Sequence, residues 1–415
     1  MRAFGLRLGG LALFGLALRV PYTLLFAGDA TGPTGDIMFF HNSANLLAEG
    51  TGYVAPYAVQ FEGVIRPTAE HPPLWPLVLA ASSKLGASGY VAHRLVGCLI
   101  GAVVIVVVGL LGRRAGGERV GLIAAGLAAL YPVLIGADGS LMSETLYGLG
   151  IAAALLAGYR LLEEPSPRRA AVLGATIALA ALTRGEALIL LPLLAGPLAW
   201  RGGAGRWRRV AAATLAAATV IAPWTARNFH ALDRPVLISL NDSTVLVGAN
   251  CDETYSGSDL GFWRDDCRSA IRESNEADLA SRYRQEGIEY ALDHAGRLPV
   301  VTGTRVLRTW NLYQPLRQVD FAEGRHRRME QAGVVAFFLL APLAVWGTFL
   351  QRRRRQPLWI LLCPVVLVTI TSVVAYGYPR FRHAAEVPLV VLAAVALGSL
   401  SARGSVVRSE EVVRG

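Results

Sequence analysis

The residues of this chain that are able to do chemistry stand in short polar stretches between long apolar segments. The first such stretch, residues 35–76, contains Asp36, Glu70 and His71. A carboxylate can take a proton from an attacking hydroxyl group, which makes Asp36 a candidate general base; capping of the following helix is the alternative. Glu70 and His71 precede two prolines that stiffen the chain. They are candidates for binding a sugar, a phosphate or a metal ion, or for capping the next helix.

Six further ionisable residues stand where the later apolar segments end or begin. They are Glu144, Arg184, Glu186, Arg227, Arg380 and Arg382. Charged groups are costly near hydrocarbon, so each is a candidate for binding a ligand. Glu144, Arg184 and Glu186 are predicted to form one buried ionic network, which either binds a ligand or pins helix ends. A guanidinium group can bind two phosphate oxygens at once, so Arg380 and Arg382 suit a lipid-linked phosphate; anchoring at the membrane interface is the alternative.

Composition indicates an integral membrane protein rather than a nucleic-acid-binding one. The 415 residues are 53% hydrophobic and only 17% charged, well below the charged fraction of about 25% in a globular protein. The formal charge is +10, but the arginines cluster in short loops between apolar segments, as in the cytoplasmic loops of membrane proteins. We therefore expect the lipid bilayer as a partner and no nucleic acid.

Ten segments have the length that a membrane span requires. They lie at residues 4–26, 91–112, 119–136, 141–162, 169–183, 186–200, 209–226, 331–350, 358–376 and 384–401. We interpret the first as a transmembrane helix, with a cleaved signal peptide as the alternative. The arginine clusters fall on one side when both termini are cytoplasmic.

This topology divides the chain into four parts. Residues 1–226 form a transmembrane catalytic module that includes the first outer loop, 27–90; residues 227–330, called the cap below, lie outside. Residues 331–401 form the C-terminal transmembrane helices, and residues 402–415 form a cytoplasmic tail.

The two outer parts contain local patterns of their own. Ile37 to Leu47 has helical spacing, with Asp36 before it and Gly50 after it, and Leu74 opens a second helical run. In the cap, alternation over 236–247 predicts a strand pair and 276–294 an amphipathic helix. The fold class is therefore a polytopic α-helical membrane protein with about ten transmembrane helices, amphipathic outer-loop helices and a small mixed α/β extracytoplasmic cap. Two cysteines in the cap, Cys251 and Cys267, are expected to form a disulfide, with two buried free thiols as the alternative.

In this order, the motifs resemble those of the GT-C superfamily of membrane glycosyltransferases. The resemblance is strongest to the bacterial branch similar to protein O-mannosyltransferases and to the lipid A aminoarabinose transferase. It is carried by Gly35-Asp36 with Phe39 and Phe40, and by the stretches 67–76, 143–146, 182–186, 223–228 and 380–382. Gly185 stands where relatives commonly have proline.

The resemblance implies transfer of a sugar from a polyprenyl-phosphate-linked donor, with inversion, at the extracytoplasmic face of the bacterial plasma membrane. The acceptor would be an envelope glycan, a glycolipid or a protein. Asp36 matches the family's first-loop acid, the expected general base, and its acidic partner is Asp29, Glu70, Asp138 or Glu144. Some members use a divalent metal, but we expect no metal and no other cofactor here.

The main alternative function is a transporter or flippase of lipid-linked sugar intermediates. Transporters place polar sites near the membrane midplane and often consist of two related halves. Here the ionisable residues cluster at segment ends and the halves look unrelated, which favours an enzyme.

Overall fold

Long apolar helices make up most of the computed structural model, which describes residues 2–27, 35–201, 203–269, 273, 275–321 and 323–414, with side chains up to residue 400. The α-helices are α1 Arg2–Tyr22, α2 Asp36–Glu49, α3 Leu74–Lys84, α4 Tyr90–Gly116, α5 Glu118–Leu130, α6 Pro132–Asp138, α7 Glu144–Glu163, α8 Pro167–Ala181, α9 Gly196–Trp200, α10 Arg206–Leu232, α11 Asn241–Ala249, α12 Asp252–Tyr255, α13 Glu276–Asp293, α14 Leu298–Thr309, α15 Arg327–Arg353, α16 Trp359–Val374 and α17 His383–Arg414. Among these described residues there is no β-strand, only one isolated bridge between Val54 and Pro67.

Each of the ten predicted spans falls on helical structure, but fewer than ten helices are long and apolar enough to cross a membrane. Within the described residues six helices satisfy both conditions, or seven when α5 and α6, bent by 59°, count as one span. The runs 185–200 and 359–374 are apolar but shorter. The chain is thus a multi-pass membrane protein, and its exact number of spans stays a prediction.

Small residues let the long helices approach closely. Gly174 of α8 faces the backbone of Ala213 in α10, and Gly347 of α15 faces the backbone of Leu392 in α17, with no room for a side chain at either glycine. Such contacts are typical of packing between transmembrane helices, where apolar burial alone does not favour association.

The first outer loop folds into two helices that pack on each other. Phe39 and Phe40 of α2 lie with Trp75 and Leu79 of α3 in one buried cluster. The Trp75 indole Nε1 donates to the Leu141 carbonyl at 3.0 Å, which joins this cluster to the segment before α7. The loop therefore has a fixed position over the ends of the membrane helices, and Asp36 is the first residue of α2.

The cap is helical in its described residues, so the predicted strand pair at 236–247 is wrong. Asn241 and Asp242 open helix α11 rather than a hairpin turn. An acidic residue in the first turn of a helix is favourable because it interacts with the helix dipole. The small mixed α/β cap is therefore not found.

The alternation that suggested strands is nevertheless real just before α11. Val236 and Ile238 are buried, whereas Leu237 is 57% exposed. The backbone of this extended segment is satisfied by side chains of α10: Trp224 donates to the Ile238 carbonyl at 2.6 Å, and Asn228 donates to the Val236 carbonyl at 3.2 Å. Because backbone groups need partners of any kind, no second strand is required.

The other predicted features of the cap agree better with the structure. Cys251 and Cys267 form the expected disulfide. The predicted helix at 276–294 is present as α13, whose first residue is Glu276. The disulfide and α13 hold the part of the cap that lies near the first outer loop.

Candidate functional site

Arg380 lies at the centre of the candidate site, and its guanidinium group contacts three carboxylates. Its Nη2 lies 2.8 Å from Asp36 Oδ2, and its Nη1 lies 2.5 Å from Glu323 Oε2. Its Nε donates to Glu144 Oε1. These acids belong to α2, to the loop before α15 and to the start of α7. Three distant parts of the chain therefore converge on one buried cation.

Arg184 and Glu186 extend this network along the membrane helices. Arg184 Nη1 lies 3.0 Å from Glu144 Oε1, and Arg184 Nε lies 2.7 Å from Glu186 Oε1. Glu144, Arg184 and Glu186 thus form the ionic network that their positions in the sequence predict. Arg184 also lies over the ring of Phe381, 5.3 Å from its centroid, beside Arg380.

Asp36 and His71 form a second contact of the site. His71 Nε2 lies 3.4 Å from Asp36 Oδ1. Burial disfavours the charge of Asp36, but the charges of His71 and Arg380 hold its pKa well below the ordinary value. Burial likewise disfavours the charge of His71, but the Asp36 carboxylate raises the pKa of the imidazole. Asp36 makes no side-chain cap of α2, whose N-cap is Gly35, so the capping alternative is wrong.

Glu70 differs from Asp36 in having no ion-pair or hydrogen-bond partner for its carboxylate within the described residues. Burial raises the pKa of Glu70, and the charge of Asp36 raises it further against the opposing effect of His71. Two acids whose pKa values are pushed in opposite directions are typical of acid–base sites. Asp36 is the ionised member here, and Glu70 is the one that more readily holds a proton.

Two of the arginines that are candidates for ligand binding, Arg382 and Arg227, contact partners in the protein. Arg382 Nε lies 2.6 Å from Glu386 Oε1, and its guanidinium lies 3.7 Å from the centroid of the Phe337 ring. Arg227 donates to the carbonyl groups of Thr68, at 2.6 Å, and Tyr53. Arg227 therefore holds the first outer loop, and Arg382 fastens the last helix.

A cavity opens beside Arg380, and its walls carry polar atoms that no protein group satisfies. Its lining includes Asn311, Gln318, Arg325 and Glu330. Asn311 Oδ1, Gln318 Oε1 and Arg325 Nε are buried without a hydrogen-bond partner. Buried polar atoms are normally paired, so this cavity is suited to a polar ligand.

Arg325 and Glu323 are site residues that sequence reasoning missed. Arg325 Nη2 lies 3.9 Å from Glu144 Oε2 and Arg325 Nε lies 3.8 Å from Glu330 Oε1, so both ion pairs of this arginine are long. The signal was a Glu-Gly-Arg triplet five residues before the predicted span at 331–350. Gly324 between them has a φ of 78° and lies against Ile37 and the Ser140 backbone, which requires glycine.

Asp138, another candidate partner of Asp36, does not contact it. Asp138 is bound to Arg19, with 2.5 Å between Asp138 Oδ2 and Arg19 Nε. Asp29 lies outside the described residues. Of the acids considered, Glu144 shares Arg380 with Asp36, and Glu70 is next to its ion-pair partner His71.

Comparison with known proteins begins with a family model for dolichyl-phosphate-mannose-protein mannosyltransferases, which matches residues 70–226, less than half of the chain. No curated protein matches the chain significantly in sequence. The archaeal oligosaccharyltransferase AglB from Archaeoglobus fulgidus, in complex with an inhibitory peptide and a dolichol-phosphate, matches with a TM-score of 0.57 at 16% identity, over 99% of this chain and 52% of that chain.

A second structure, the Archaeoglobus fulgidus oligosaccharyltransferase tethered with an acceptor peptide containing the NVT sequon, has a TM-score of 0.54 at 16% identity, over 96% of this chain and 50% of that chain. The chain has the GT-C fold. ArnT from Cupriavidus metallidurans bound to undecaprenyl phosphate has a TM-score of 0.40 at 16% identity, over 94% of this chain and 78% of that chain.

The GT-C resemblance drawn from the sequence motifs is thus confirmed at the level of the fold. The chain spans about half the length of the oligosaccharyltransferase structures that it matches. The family match begins at Glu70 and ends just before Arg227, so it contains Glu144, Arg184 and Glu186 but neither Asp36 nor Arg380. Residues from outside the matched segment therefore complete the candidate site.

Proposed function

We propose that this protein is an enzyme that transfers a sugar, a hexose or a pentose, from a polyprenyl-phosphate-linked donor to an acceptor of the cell envelope. The observation that carries the proposal is the position of Arg380. It joins an ionised carboxylate, Asp36, to a cavity whose wall holds the incompletely paired Arg325. A proton acceptor and an anion site thus lie on either side of one guanidinium group. The GT-C fold, and the dolichol-phosphate in complex with AglB, support a lipid-linked donor.

In this proposal the donor phosphate binds Arg325 and Arg380 from the cavity side. A guanidinium group stabilises the negative charge that develops on a leaving phosphate. Once Arg380 interacts with the phosphate, its hold on Asp36 weakens. The basicity of Asp36 then rises toward the range that proton transfer requires.

The reaction itself is a single displacement. The acceptor hydroxyl oxygen attacks the anomeric carbon while the bond from that carbon to the phosphate oxygen breaks. The hydroxyl proton passes to Asp36, and the polyprenyl phosphate leaves with the bonding electron pair, so the anomeric configuration inverts. Arg184, Glu144 and Glu186 hold Arg380 in place, and no divalent metal takes part.

The site faces the extracytoplasmic side of a bacterial plasma membrane in this proposal, with both termini cytoplasmic. The arginine-rich loops support that orientation. The acceptor is a glycolipid, a polysaccharide or a protein. Glu70 and His71, at the edge of the first outer loop, are in position to contact it.

The experiment compares four strains: the gene deletion alone, and the deletion complemented with the wild-type gene, with Asp36→Asn or with Glu49→Gln. Glu49 is an exposed residue of the same helix, so Glu49→Gln is the matched control. Envelope glycans and glycolipids are analysed by mass spectrometry. One sugar should be missing in the deletion and Asp36→Asn strains and present in the other two. An envelope that is identical in all four strains would contradict the proposal.

A transporter or flippase of lipid-linked sugars is the second candidate, because it would also bind a polyprenyl phosphate. The two are separated with purified protein in liposomes that contain undecaprenyl-phosphate-linked sugars. An enzyme releases undecaprenyl phosphate when acceptor is added, whereas a flippase only moves the lipid between leaflets.

A further inference from the structure

The turn that carries Glu70 and His71 is held by a carboxylate from the cap. Glu276 Oε1 accepts a hydrogen bond from the Thr68 hydroxyl at 2.7 Å, and Glu276 Oε2 accepts one from the Ala69 backbone N–H at 2.8 Å. The Thr68 hydroxyl oxygen in turn accepts the backbone N–H of Glu70 at 3.0 Å. A continuous chain of hydrogen bonds therefore runs from α13 to Glu70.

The same turn has other anchors that differ from Glu276 in kind. Arg227 donates to the Thr68 carbonyl, the Leu240 backbone N–H donates to the Ala69 carbonyl at 2.8 Å, and the Tyr53 hydroxyl donates to the His71 carbonyl at 2.9 Å. These three anchors bind carbonyl groups and stay in the same protonation state between pH 5 and 9. Glu276 binds the donor groups of the turn and can change its charge.

We propose that Glu276 is a positioning residue that fixes the Glu70–His71 turn from the cap, and that the strength of this hold depends on whether Glu276 is protonated. The proposal deepens the function proposed above, because Glu70 and His71 are the acceptor-side residues of that site. It gives the cap a role in catalysis that does not require contact with substrate.

The sign of the effect follows from the surroundings of Glu276. Its pKa is raised from the ordinary 4.5 to about 7. Burial is the largest cause and the charge of Glu70 adds to the rise, whereas the hydrogen bonds from Thr68 and Ala69 and the charge of Arg227 act against it. Because its pKa is raised, the Glu276 carboxyl group binds a proton more tightly in the closed turn than in an open turn, where it contacts water. Opening is therefore favoured as pH rises through that range.

The test is amide hydrogen exchange of the peptide containing residues 68–71, measured on the full chain in nanodiscs and divided by the intrinsic exchange rate at each pH. In the wild type, the corrected exchange should increase by up to about tenfold per pH unit between pH 5 and 7, because one proton is released on opening. Glu276→Gln, which keeps the shape without the charge, should exchange more slowly than the wild type at pH 7 and depend less on pH; the dependence that remains comes from Glu70 and His71, whose pKa values are also raised. Glu276→Ala, which removes both bonds, should exchange about tenfold faster than Glu276→Gln at every pH.

The matched control is Asp278→Asn, which removes an exposed pair with Arg234 on the same turn of α13. It should follow the wild-type pH dependence. Glu70→Gln should keep the pH dependence with its midpoint shifted to lower pH, because a repelling charge is removed. Equal exchange in wild type and Glu276→Gln over this range would overturn the proposal, as would a pH dependence that disappears in Glu70→Gln instead.

This measurement does not depend on sugar transfer, so the two proposals can fail separately. The exchange result decides the positioning role even when no donor is turned over. With any undecaprenyl-phosphate-linked sugar that the wild type uses, Glu276→Gln should retain more activity above pH 7 than the wild type, relative to each protein's own rate at pH 6. The opposite ranking would overturn the catalytic part of the proposal.

Discussion

Two buried arginine–carboxylate centres in this protein differ in how completely they are satisfied. Arg19 Nε is bound to Asp138, and the other two nitrogens donate to the carbonyl groups of Gly15, Ala128 and Ala129 at 3.1 Å. The second carboxylate oxygen of Asp138 accepts the Thr145 hydroxyl at 2.7 Å. Every charged group of this centre has protein partners.

The Arg380 centre has more charged groups, and some of its buried polar atoms lack a hydrogen-bond partner. One guanidinium group serves Asp36, Glu144 and Glu323, while Glu144 Oε2 and Arg325 Nε have no hydrogen-bond partner. A buried ion pair contributes to stability only when its remaining hydrogen bonds are made. The comparison therefore supports a structural role for the Arg19 centre and our proposal that the Arg380 centre binds a ligand.

The largest expected effect is that of Asp36→Asn on sugar transfer. A general base contributes about 100-fold to 10,000-fold to the rate, so turnover per folded molecule should fall by at least about 100-fold. Turnover is measured as release of undecaprenyl phosphate in liposomes. Near-normal release by this variant, with Glu49→Gln as the control, would remove Asp36 as the base.

A smaller effect is expected for Arg325→Gln, which should lower the affinity for undecaprenyl phosphate. A hydrogen bond to a charged group contributes about 1.5–3 kcal/mol, so affinity should fall by roughly 10-fold to 100-fold. Arg327→Gln is the matched control, because that arginine pairs with Asp320 on the surface. Equal affinity for both variants would show that Arg325 Nε, which has no hydrogen-bond partner in the protein, does not face the phosphate.

A modest pH dependence of stability should come from the ion pair of Asp36 and His71. The pKa of His71 is raised, so the stability it contributes is fully present below pH 6.5 and is lost as pH rises through the raised pKa. The thermal midpoint measured between pH 6 and 9 should therefore fall more in the wild type than in His71→Gln. A parallel fall in both proteins would show that other groups cause it.

The smallest effect on turnover is expected for Asp138→Asn, although this variant should be the least stable. Breaking a buried pair costs about 3–5 kcal/mol because one charge is left unpaired, so the thermal midpoint should drop clearly. Turnover per folded molecule should match the wild type. A loss of turnover comparable to that of Asp36→Asn would end the distinction between the two centres.

Much of the fold followed from the sequence, because apolar length and glycine or proline punctuation set the helices directly. The helix after Asp36 and the network of Glu144, Arg184 and Glu186 were predicted from spacing and loop position. The strand pair in the cap was predicted wrongly. Alternation of apolar and polar residues indicates which side chains are buried, but not what binds the backbone. Here Trp224 and Asn228 of helix α10 donate the hydrogen bonds that a partner strand would otherwise supply.

The centre of the site was only half predictable for a similar reason. Arg380 and Arg382 are two residues apart and look equivalent in the sequence, yet one faces three carboxylates and the other is enclosed by Glu386 and Phe337. Which arginine faces the site depends on the start of α17 and on the loop before α15. Glu323 and Arg325 come from that loop, and no short-range pattern relates them to Asp36.

Helix α8 has a consequence for the membrane around the site. Its 15 residues reach about 22 Å at 1.5 Å per residue, less than the hydrocarbon thickness of about 30 Å. It is held against the 27-residue α10 by the close contact at Gly174. If α8 crosses the membrane, Arg184 and Glu186, just beyond its end, lie below the level of the surrounding lipid headgroups, and the bilayer thins there to meet them. A lipid-linked phosphate could then reach the site while its hydrocarbon chain stays in the membrane.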